Sequence, residues 1–581
     1  MPKTAAGTAA SGGTAGGASA MASGASGVAS GAAAGADGSG AADGSGADQA
    51  GAGTGDNAAS AGTPGNAETA ETAGQAAPAV LSRRAAALLR RNWLAATLLA
   101  IGVALRVLVQ FSFGPALLYI DSVKYLYGAW PGADPLGYDA PLKALLAIGN
   151  LSLVAAVQHL LGLGMAVAIY LVLLRRGVPR WLSALAMGPV LLDAYQLQTE
   201  ATIMPDIWFE ALIAAGLVVL LWKPRPTWRY LVAGGLILGL GATVRQVGEI
   251  MIIPVVLFVL FAAGGWRQAL TKSVAVIMAF AVPIVAYMAG SYAFTGHFWL
   301  SRNGYQATYG RMAALADCAT LKLPSYERAL CPTRHEQALG PDWLDHGPGS
   351  PLRQYPTPPG MERSAVIGSF NQAVVTQQPL RVAGRIGSDA VKLFALSRVT
   401  SPGDTPISRW QFHTTYPTFA PTIGVNRQGT IIFALKLAVA GGPTVYRKLD
   451  AAYGGNSFVW VPGAAFLRRY MLYGGFTPGP LLLLSVITGL AGALTVLRRR
   501  ASPAQRQLAL GALLFISSGA AVLLMSDIFQ FSWRYQIPAI VTLPPAGALG
   551  IAVLIRYARR RRTTRSAVAA EREQRVTART G

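Results

Sequence analysis

The stretch WLAATLLAIGVALRVLVQF, from Trp93 to Phe111, is dominated by Leu, Ala and Val. A helix of this length covers the hydrocarbon core of a bilayer, which is about 30 Å thick, at about 1.5 Å per residue. Few soluble proteins carry such a run, and this chain carries many. We therefore interpret the stretch as the first of several transmembrane helices.

Nine further apolar runs follow along the chain. The 581 residues are 52% hydrophobic and only 13% charged, with a mean hydropathy of +0.40. These values indicate an all-α polytopic membrane protein with about ten transmembrane helices. The further spans are expected approximately at Val157–Leu174, Trp181–Leu197, Ile207–Trp222, Tyr230–Val244, Ile250–Phe261, Ser273–Tyr292, Pro480–Leu497, Gln507–Met525 and Ile537–Ile555.

Basic residues beside these runs indicate the orientation of the helices. Every basic cluster falls on the same side of the predicted spans, as in cytoplasmic loops that carry an excess of Lys and Arg. With an even number of crossings, both termini are expected in the cytoplasm. This topology also explains the net charge of +23 without nucleic-acid binding. The clusters are Arg83, Arg84, Arg90 and Arg91; Arg175, Arg176 and Arg180; Lys223, Arg225 and Arg229; Arg267 and Lys272; Arg498, Arg499 and Arg500; and Arg559 to Arg562.

Composition divides the chain into five regions. Residues 1–81 are almost wholly Ala, Gly, Ser and Thr, which cannot bury enough apolar surface to offset chain entropy, so we expect a disordered cytoplasmic tail. Residues 293–479 are too long and mixed for a simple connection and are expected to fold as a mixed extracytoplasmic domain between helices 7 and 8. The remaining regions are a transmembrane core at 82–292 with a first outer loop at 114–156, C-terminal transmembrane helices at 480–558, and a basic cytoplasmic tail at 559–581.

The two cysteines of the chain, Cys318 and Cys331, both lie in the predicted extracytoplasmic domain. Outside the cytoplasm, two thiols so close in sequence favour a disulfide bond, which would stabilise the domain by about 3 kcal/mol in the loop-entropy model. Two free, buried thiols are the alternative. We predict the disulfide.

The stretch LLYIDSVKYLYGAW, from Leu117 to Trp130, places Asp121 and Lys124 shortly after the first apolar run. On the predicted topology this loop follows the outer face of the membrane, where a carboxylate could meet a substrate with its tail in lipid and its head in water. Two interpretations of Asp121 stay open. It could accept the proton of an attacking hydroxyl group, or it could cap a helix formed by SVKYLYGAW.

Further ionisable residues fall on the same predicted face. The segment YQLQTEATIMPDIWFE contains Glu200 and Asp206, and GATVRQVGE contains Arg245 and Glu249. Ionisable groups at a membrane boundary are costly to dehydrate and often mark a substrate path. We therefore interpret Glu200, Asp206 and Glu249 as a second acidic cluster. Arg245 and Glu249 could instead form an i,i+4 ion pair that only ties a helix end.

A family resemblance appears in the order of several short motifs. YIDSVKYLYGA, DPLGYDAPL, VQHLLGLGMAVAIYLVLLRR and the acid-bearing turn TEATIMPD follow the first helix, and FQFSWRYQIPA comes near the end. This order resembles the GT-C glycosyltransferases that use polyprenyl-phosphate sugars. More narrowly, it is similar to the protein O-mannosyltransferase and lipid A aminoarabinose transferase group. One departure concerns the first loop, which often carries two adjacent acids in that family, whereas here Ser122 follows Asp121.

The resemblance implies a membrane glycosyltransferase that moves a sugar from a polyprenyl-phosphate donor to a hydroxyl group of a glycan, lipid or protein acceptor. Asp121 would be the general base of a single displacement that inverts the sugar. Lys124, Arg245 and Arg534 would bind the donor phosphate, whose negative charge grows as it departs. The active site would face the extracytoplasmic side of the cell membrane.

No metal or nucleotide motif accompanies these residues. The sequence contains no HxxxH motif, no Cys/His cluster and no paired acids at metal-ligand spacing, so we expect no metal site and no cofactor. It also has no phosphate-binding glycine loop. The glycines of GGLILGLGA lie within an apolar run, where Gly allows close helix packing. A lipid-linked donor therefore fits better than a nucleotide sugar.

Two other classes of protein compete with this interpretation. A non-catalytic envelope protein could use the outer domain to bind a polymer or a partner. A secondary transporter would also have about ten helices, but it should show internal repeats, which we do not find, and not a large domain after seven spans.

Overall fold

Long apolar helices form the larger part of the described chain. The computed structural model describes residues 87–128, 135–301, 304–420, 422–436, 444–497 and 501–580. All of them fall within the unit Ala77–Gly581. The predicted tail at 1–81 and the basic residues Arg83, Arg84 and Arg498 to Arg500 lie outside the described residues.

The first half of the described chain consists of helices joined by short turns. A 3₁₀ turn, Gln246–Met251, leads directly into the ninth helix. The helices are α1 Trp93–Ser112, α2 Ser122–Tyr127, α3 Asp139–Ile148, α4 Leu151–Arg175, α5 Arg180–Leu192, α6 Ala194–Ala201, α7 Asp206–Leu220, α8 Trp228–Val244, α9 Ile252–Ala262 and α10 Trp266–Thr295.

The following segment folds as short helices around an apolar core of its own, in which Tyr309, Leu330 and Phe370 are fully buried. Within this segment the sulfur atoms of Cys318 and Cys331 form a disulfide bond. Its helices are α11 Gly304–Leu315, α12 Arg334–Ala338, α13 Pro341–His346, α14 Pro351–Gln354, α15 Arg363–Gln377 and α16 Pro379–Lys392. A later helix, α17 Val461–Leu472, instead contributes Ala464, Leu467 and Met471 to the core of the helix bundle.

Three long helices complete the described chain: α18 Gly479–Leu497, α19 Pro503–Phe529 and α20 Pro538–Thr580. Within the described residues, six helical segments are long and apolar enough to cross a membrane: α1, α4, α10, α18, α19 and Trp533–Glu571, which contains most of α20. A mostly helical, multi-pass membrane protein is thereby confirmed.

The number of ten spans stays a prediction. Each of the ten predicted runs overlaps helical structure, but α5, α7, α8 and α9 have only 13, 15, 17 and 11 residues. Helices of this length cross about 30 Å only when a neighbouring turn extends them or the bilayer thins.

The predicted run Trp181–Leu197 is divided into two helices. α5 ends and α6 begins at Asp193, whose carboxylate accepts a hydrogen bond from the backbone N–H of Tyr195 (3.0 Å) and so caps α6. The same carboxylate pairs with Arg398 at 2.9 Å. Asp193 therefore ends the span earlier than the apolar content of the run indicates.

Helices α8 and α10 approach closely at the glycines of GGLILGLGA. A Cβ atom on Gly239 would overlap the carbonyl oxygen of Phe280, and one on Gly235 would lie 2.9 Å from the carbonyl oxygen of Val276. Only hydrogen atoms fit there, so these glycines allow the two backbones to pack against each other.

Within the part of the chain that the structure describes, five short strands lie outside the helices: β1 Phe113–Gly114, β2 Ile423–Val425, β3 Ile431–Lys436, β4 Thr444–Lys448 and β5 Phe458–Val459. β2, β3 and β4 form an antiparallel sheet in that order, with Gly424 opposite Ile432 and Ile432 opposite Lys448. β1 pairs with β5, which joins the end of α1 to the start of α17.

The segment between α10 and α18 packs onto one end of the helix bundle. The hydroxyl group of Tyr416 donates a hydrogen bond to the carbonyl oxygen of Ala116 (2.6 Å). Arg409 donates another to the hydroxyl oxygen of Tyr119 (3.2 Å). This segment therefore covers the bundle end that carries Asp121.

Candidate active site

The loop that carries Asp121 is hydrogen-bonded to the turn before α7. The backbone N–H of Leu117 donates to the carbonyl oxygen of Ala201, and the N–H of Ile203 donates to that of Leu117, both at 2.9 Å. The hydroxyl group of Ser122 donates to the carbonyl oxygen of Ile203 at 2.8 Å. These three hydrogen bonds bring Asp121 next to the start of α7.

Five charged side chains meet at this place. Arg534 places its Nη1 atom 3.4 Å from Oδ2 of Asp121 and its Nε atom 2.8 Å from Oδ1 of Asp206. Arg245 pairs with the same Oδ1 atom of Asp206, and Lys124 Nζ lies 3.8 Å from Oδ1 of Asp121. The result is a continuous chain of alternating positive and negative groups.

Aromatic rings hold the guanidinium group of Arg534. Arg534 lies in the 3₁₀ turn Trp533–Gln536 and its side chain is only 5% exposed. Its central carbon lies 5.0 Å from the ring centre of Trp410, 5.3 Å from that of Tyr535 and 5.7 Å from that of Tyr119. Cation–π attraction and the two carboxylates together limit the rotamers that this side chain can adopt.

The charged groups line one side of a cavity of about 190 Å³. Asp121, Lys124, Arg245 and Arg534 contribute its charged wall. The other walls are mixed, with Phe529, Val244, Val247 and Pro135 beside Ser526 and Gln246. A cavity of this kind suits a ligand with an anionic group and an apolar part.

The charge of Asp121 is set by its neighbours. Burial would raise the pKa of its carboxyl group, but the charges of Lys124 and Arg534 outweigh burial and lower the pKa to about 2. Asp121 is therefore ionised at neutral pH. Burial raises the pKa of the neighbouring Tyr119 hydroxyl group to about 12, so that group is neutral.

The two alternatives left open by the sequence have structural answers. Asp121 precedes α2 at the N-cap position, but its side chain accepts no hydrogen bond from the backbone of that helix, so it does not act as a cap. Arg245 pairs with Asp206 and not with its sequence neighbour Glu249.

Neither Glu200 nor Glu249 lines the cavity, and neither pairs with the arginines that bind Asp206. Glu200 is fully buried on α6, where it pairs with Arg106 (2.6 Å) and with Nδ1 of His159 (2.9 Å). Glu249 lies in the 3₁₀ turn before α9, away from the cavity wall. Helices α1 and α4 thus supply Glu200 with its own cationic and imidazole partners, and a functional role for the second acidic cluster stays a prediction.

Sequence reasoning missed two aromatic residues of the site. Tyr535 lines the cavity, and the central guanidinium carbon of Arg245 lies 4.7 Å from the centre of its ring. Because Tyr535 directly follows Arg534 in the motif FQFSWRYQIPA, its position beside that arginine could have indicated it. Trp410 comes from the segment between α10 and α18, and no motif around it points to this site.

No group of three or more His, Cys, Asp or Glu side chains within the described ranges lies close enough together to hold a metal ion. The acids of the candidate site are instead paired with Lys and Arg.

No family model and no curated protein matches this chain in sequence. Among solved structures, the chain is similar to the protein O-mannosyltransferase Pmt1-Pmt2 complex of S. cerevisiae bound to the sugar donor, with 15% identity over 41% of this chain and 38% of that one, at a TM-score of 0.29. It is also similar to the oligosaccharyltransferase AglB of Archaeoglobus fulgidus in complex with an inhibitory peptide and a dolichol-phosphate, with 13% identity over 82% and 52% and a TM-score of 0.39.

A third similar structure is ArnT of Cupriavidus metallidurans bound to undecaprenyl phosphate, with 12% identity over 80% of this chain and 78% of that one and a TM-score of 0.27. The chain spans about half or less of the length of the first two proteins. A protein O-mannosyltransferase, the group that the sequence motifs resemble, is thus among the similar structures.

Proposed function

We propose that this protein is a membrane glycosyltransferase that moves a sugar from a polyprenyl-phosphate donor to an acceptor hydroxyl group with inversion. The cavity beside Asp121 would hold the reacting groups on the extracytoplasmic face. The acceptor would be a glycan, a lipid or a protein. The observation that carries the proposal is a carboxylate and three cations around one small cavity at the end of an apolar helix bundle.

The charge balance of the site supports an anionic ligand. Lys124, Arg245 and Arg534 carry three positive charges, whereas Asp121 and Asp206 carry two negative charges. These five groups together keep one positive charge in excess. A phosphate diester or monoester would supply the missing negative charge, and guanidinium groups bind phosphate oxygens well.

The proposed reaction is a single displacement. The acceptor oxygen forms a bond to the anomeric carbon, and the bond from that carbon to the phosphate oxygen breaks, so that its electron pair leaves with the lipid phosphate. The proton of the acceptor moves to Asp121. Growing charge on the phosphate would be stabilised by Arg534, Arg245 and Lys124.

The low pKa of Asp121 is consistent with a reaction in which the donor binds before the acceptor proton is transferred. A carboxyl group with a pKa of about 2 is a weak proton acceptor. A bound phosphate would compete with Asp121 for Lys124 and Arg534, and its negative charge would raise the pKa of Asp121. Donor binding would therefore activate the base.

Asp206 has a different role in this proposal. Its Oδ1 atom bridges Arg245 and Arg534, and the residue is 7% exposed. We assign it as a positioning residue that orients two guanidinium groups toward the cavity.

Asp121→Asn tests the proposed base. Asparagine keeps the size of the side chain but cannot accept a proton, so transfer should fall at least about a hundredfold while donor binding persists. The measurement is transfer from a polyprenyl-phosphate sugar by protein in liposomes, with mass spectrometry of envelope glycans and glycoproteins in cells. Asp450→Asn, an exposed acid outside the cavity, is the matched control.

Near-normal transfer by Asp121→Asn would reject this residue as the base, and Asp206 would then be tested next.

Arg534→Lys should behave differently from Asp121→Asn. Lysine loses the planar fork that reaches two carboxylates and the phosphate, so donor affinity should fall about tenfold or more, since hydrogen bonds to charged groups contribute about 1.5–3 kcal/mol. Arg447→Lys, where an arginine stacks on Tyr127 away from the cavity, is the control.

A further inference from the structure

A second and larger cavity lies at the opposite end of the helix bundle. Its volume is about 1480 Å³. α4 connects the two ends: near its start, Ser152 donates a hydrogen bond to Pro115 beside the candidate active site (2.8 Å), and its last residue, Arg175, lines the second cavity. A helix of 25 residues is about 37 Å long. The second cavity is therefore separate from the active site.

The wall of this cavity is strongly basic. Seven Lys or Arg residues and no Asp or Glu line it within the described chain. Several of them are held by backbone carbonyl oxygens: Arg175 donates to Trp222 (2.8 Å) and Arg556 to Gly177 (3.0 Å). Carbonyl groups orient these cations without neutralising them. The basic lining residues are Arg175, Arg176, Lys223, Arg225, Lys272, Arg506 and Arg556.

Arg176 is the buried member of this set. Only 9% of the residue is exposed. Its Nε atom donates to the carbonyl oxygen of Leu221 (2.7 Å) and its Nη1 atom to that of Pro224 (3.4 Å), whereas the buried Nη2 atom has no partner among the described residues. Burial lowers the pKa of Arg176 to about 10, so it stays a cation at neutral pH. A buried cation with an unpartnered N–H donor is best satisfied by an acceptor that also carries negative charge.

The same cavity also has an apolar wall that reaches the membrane. Leu508, Leu510 and Leu513 of α19 contribute to it. Phe261 and Leu497, which also line the cavity, are 72% and 77% exposed. In a membrane protein, exposed apolar side chains on spanning helices contact lipid chains. The cavity therefore offers a cationic part and an apolar part that opens toward lipid.

We propose that this basic cavity binds the headgroup phosphate of an anionic phospholipid, whose acyl chains leave past Phe261 and Leu497. Basic clusters that only orient the helices require cations in the loops, but they do not require a buried guanidinium group with a vacant donor. A soluble phosphate ion would use the cations and leave the apolar wall without a partner. Basic cavities between spanning helices are suited to lipid headgroups.

The test uses the full chain, purified in neutral detergent and titrated with phosphatidylglycerol, with native mass spectrometry to measure bound lipid. Arg225→Gln with Arg506→Gln removes two exposed cations from the wall, and Arg176→Gln removes the buried one. Each variant should bind phosphatidylglycerol about tenfold or more weakly than the wild type. The matched control is Arg559→Gln with Arg560→Gln, which removes two charges outside the cavity and should change binding less than about twofold.

Three results would overturn the proposal. Phosphatidylcholine could bind as tightly as phosphatidylglycerol, which would remove the role of the cations. The control variant could lose as much affinity as the cavity variants, which would leave only a general charge effect. Inorganic phosphate could displace the lipid at equal concentration, which would leave only an anion site. If Arg176→Gln fails to fold, the Arg225 and Arg506 variant alone decides. The assay needs no sugar donor, so it stands or falls independently of glycosyl transfer.

Discussion

Arg534 joins the two carboxylates of the candidate site through different atoms of one guanidinium group. Nη1 faces Asp121 at 3.4 Å and Nε faces Asp206 at 2.8 Å. Asp121 keeps 35% of its side chain exposed to the cavity, whereas Arg534 is almost fully buried. The arginine is thus the fixed element, and the aspartate is the group that can exchange partners when a ligand enters.

Asp121 should contribute to stability in a defined pH range. Its pKa of about 2 in the folded protein is below the ordinary value of 3.8, so the unfolded chain binds the proton first as the pH falls. The stabilisation is complete above about pH 4 and is lost between about pH 4 and pH 2. We expect the thermal midpoint of the wild type to fall more steeply in this window than that of Asp121→Asn. If the thermal midpoints of both proteins fall equally steeply with pH, the ion pairs of Asp121 with Lys124 and Arg534 do not stabilise the fold.

Some residues of the site could be predicted from sequence, because a charge beside an apolar run stands out. Asp121, Lys124 and Arg245 stand out in that way, whereas Arg534 is indicated only by the resemblance in FQFSWRYQIPA. Their pairing could not be predicted, since Asp206 and Arg534 are 328 residues apart and no local pattern connects them. The separation of Glu200 from Asp206 escaped sequence reasoning for the same reason.

Close packing of α8 against α10 is the clearest determinant of structure at the level of helices. Gly239 faces the backbone of Phe280, whereas a Cβ atom on Gly241 would meet its nearest neighbour, Leu212, at 3.6 Å. The motif GGLILGLGA indicated close packing, but it did not identify α10 as the partner. Small residues determine how closely two helices can approach, but they do not determine which helix is the neighbour.

Two substitutions on one helix separate packing from helix propensity. Gly239→Ala should lower the free energy of unfolding by about 1–3 kcal/mol, because the added methyl group forces α8 and α10 apart. Gly241→Ala should leave stability unchanged or raise it by up to about 1 kcal/mol, since Ala is the better helix former and its Cβ atom would make only ordinary van der Waals contacts, the nearest at 3.6 Å. Thermal unfolding of both variants in the same detergent measures the difference. A Gly239→Ala variant as stable as Gly241→Ala would argue against this helix contact.

Hydrophobic runs were the most predictable feature of the whole molecule, because spanning a bilayer demands length and apolarity. All ten runs overlap helices. The break at Asp193 could not be predicted from its surroundings alone, because one of the partners of its carboxylate, Arg398, lies 205 residues away. The segment between α10 and α18 was predicted only as a domain. Its short helices and the contact of Tyr416 with Ala116 depend on long-range packing that carries no periodic signal.

The orientation of the whole molecule can be tested with single cysteines. Ser388 on α16 and Ser566 on α20 are exposed and lie on opposite sides of the predicted membrane. In intact cells, Ser388→Cys should react with a membrane-impermeant maleimide, and Ser566→Cys should react only after permeabilisation. The unmodified chain is the control, because Cys318 and Cys331 are joined by a disulfide. Labelling of Ser566→Cys from outside would place the candidate site in the cytoplasm.

The contact between Asp206 and Arg534 also has a consequence for biosynthesis. A ribosome delivers Asp206 and Arg245 to the membrane long before it reaches Arg534, which follows 328 residues later. Until that last part of the chain is inserted, Asp121 and Asp206 lack the guanidinium group that joins them. A chain terminated before Arg534 would therefore insert most of its helices and still lack the guanidinium group that joins the two carboxylates of the candidate site.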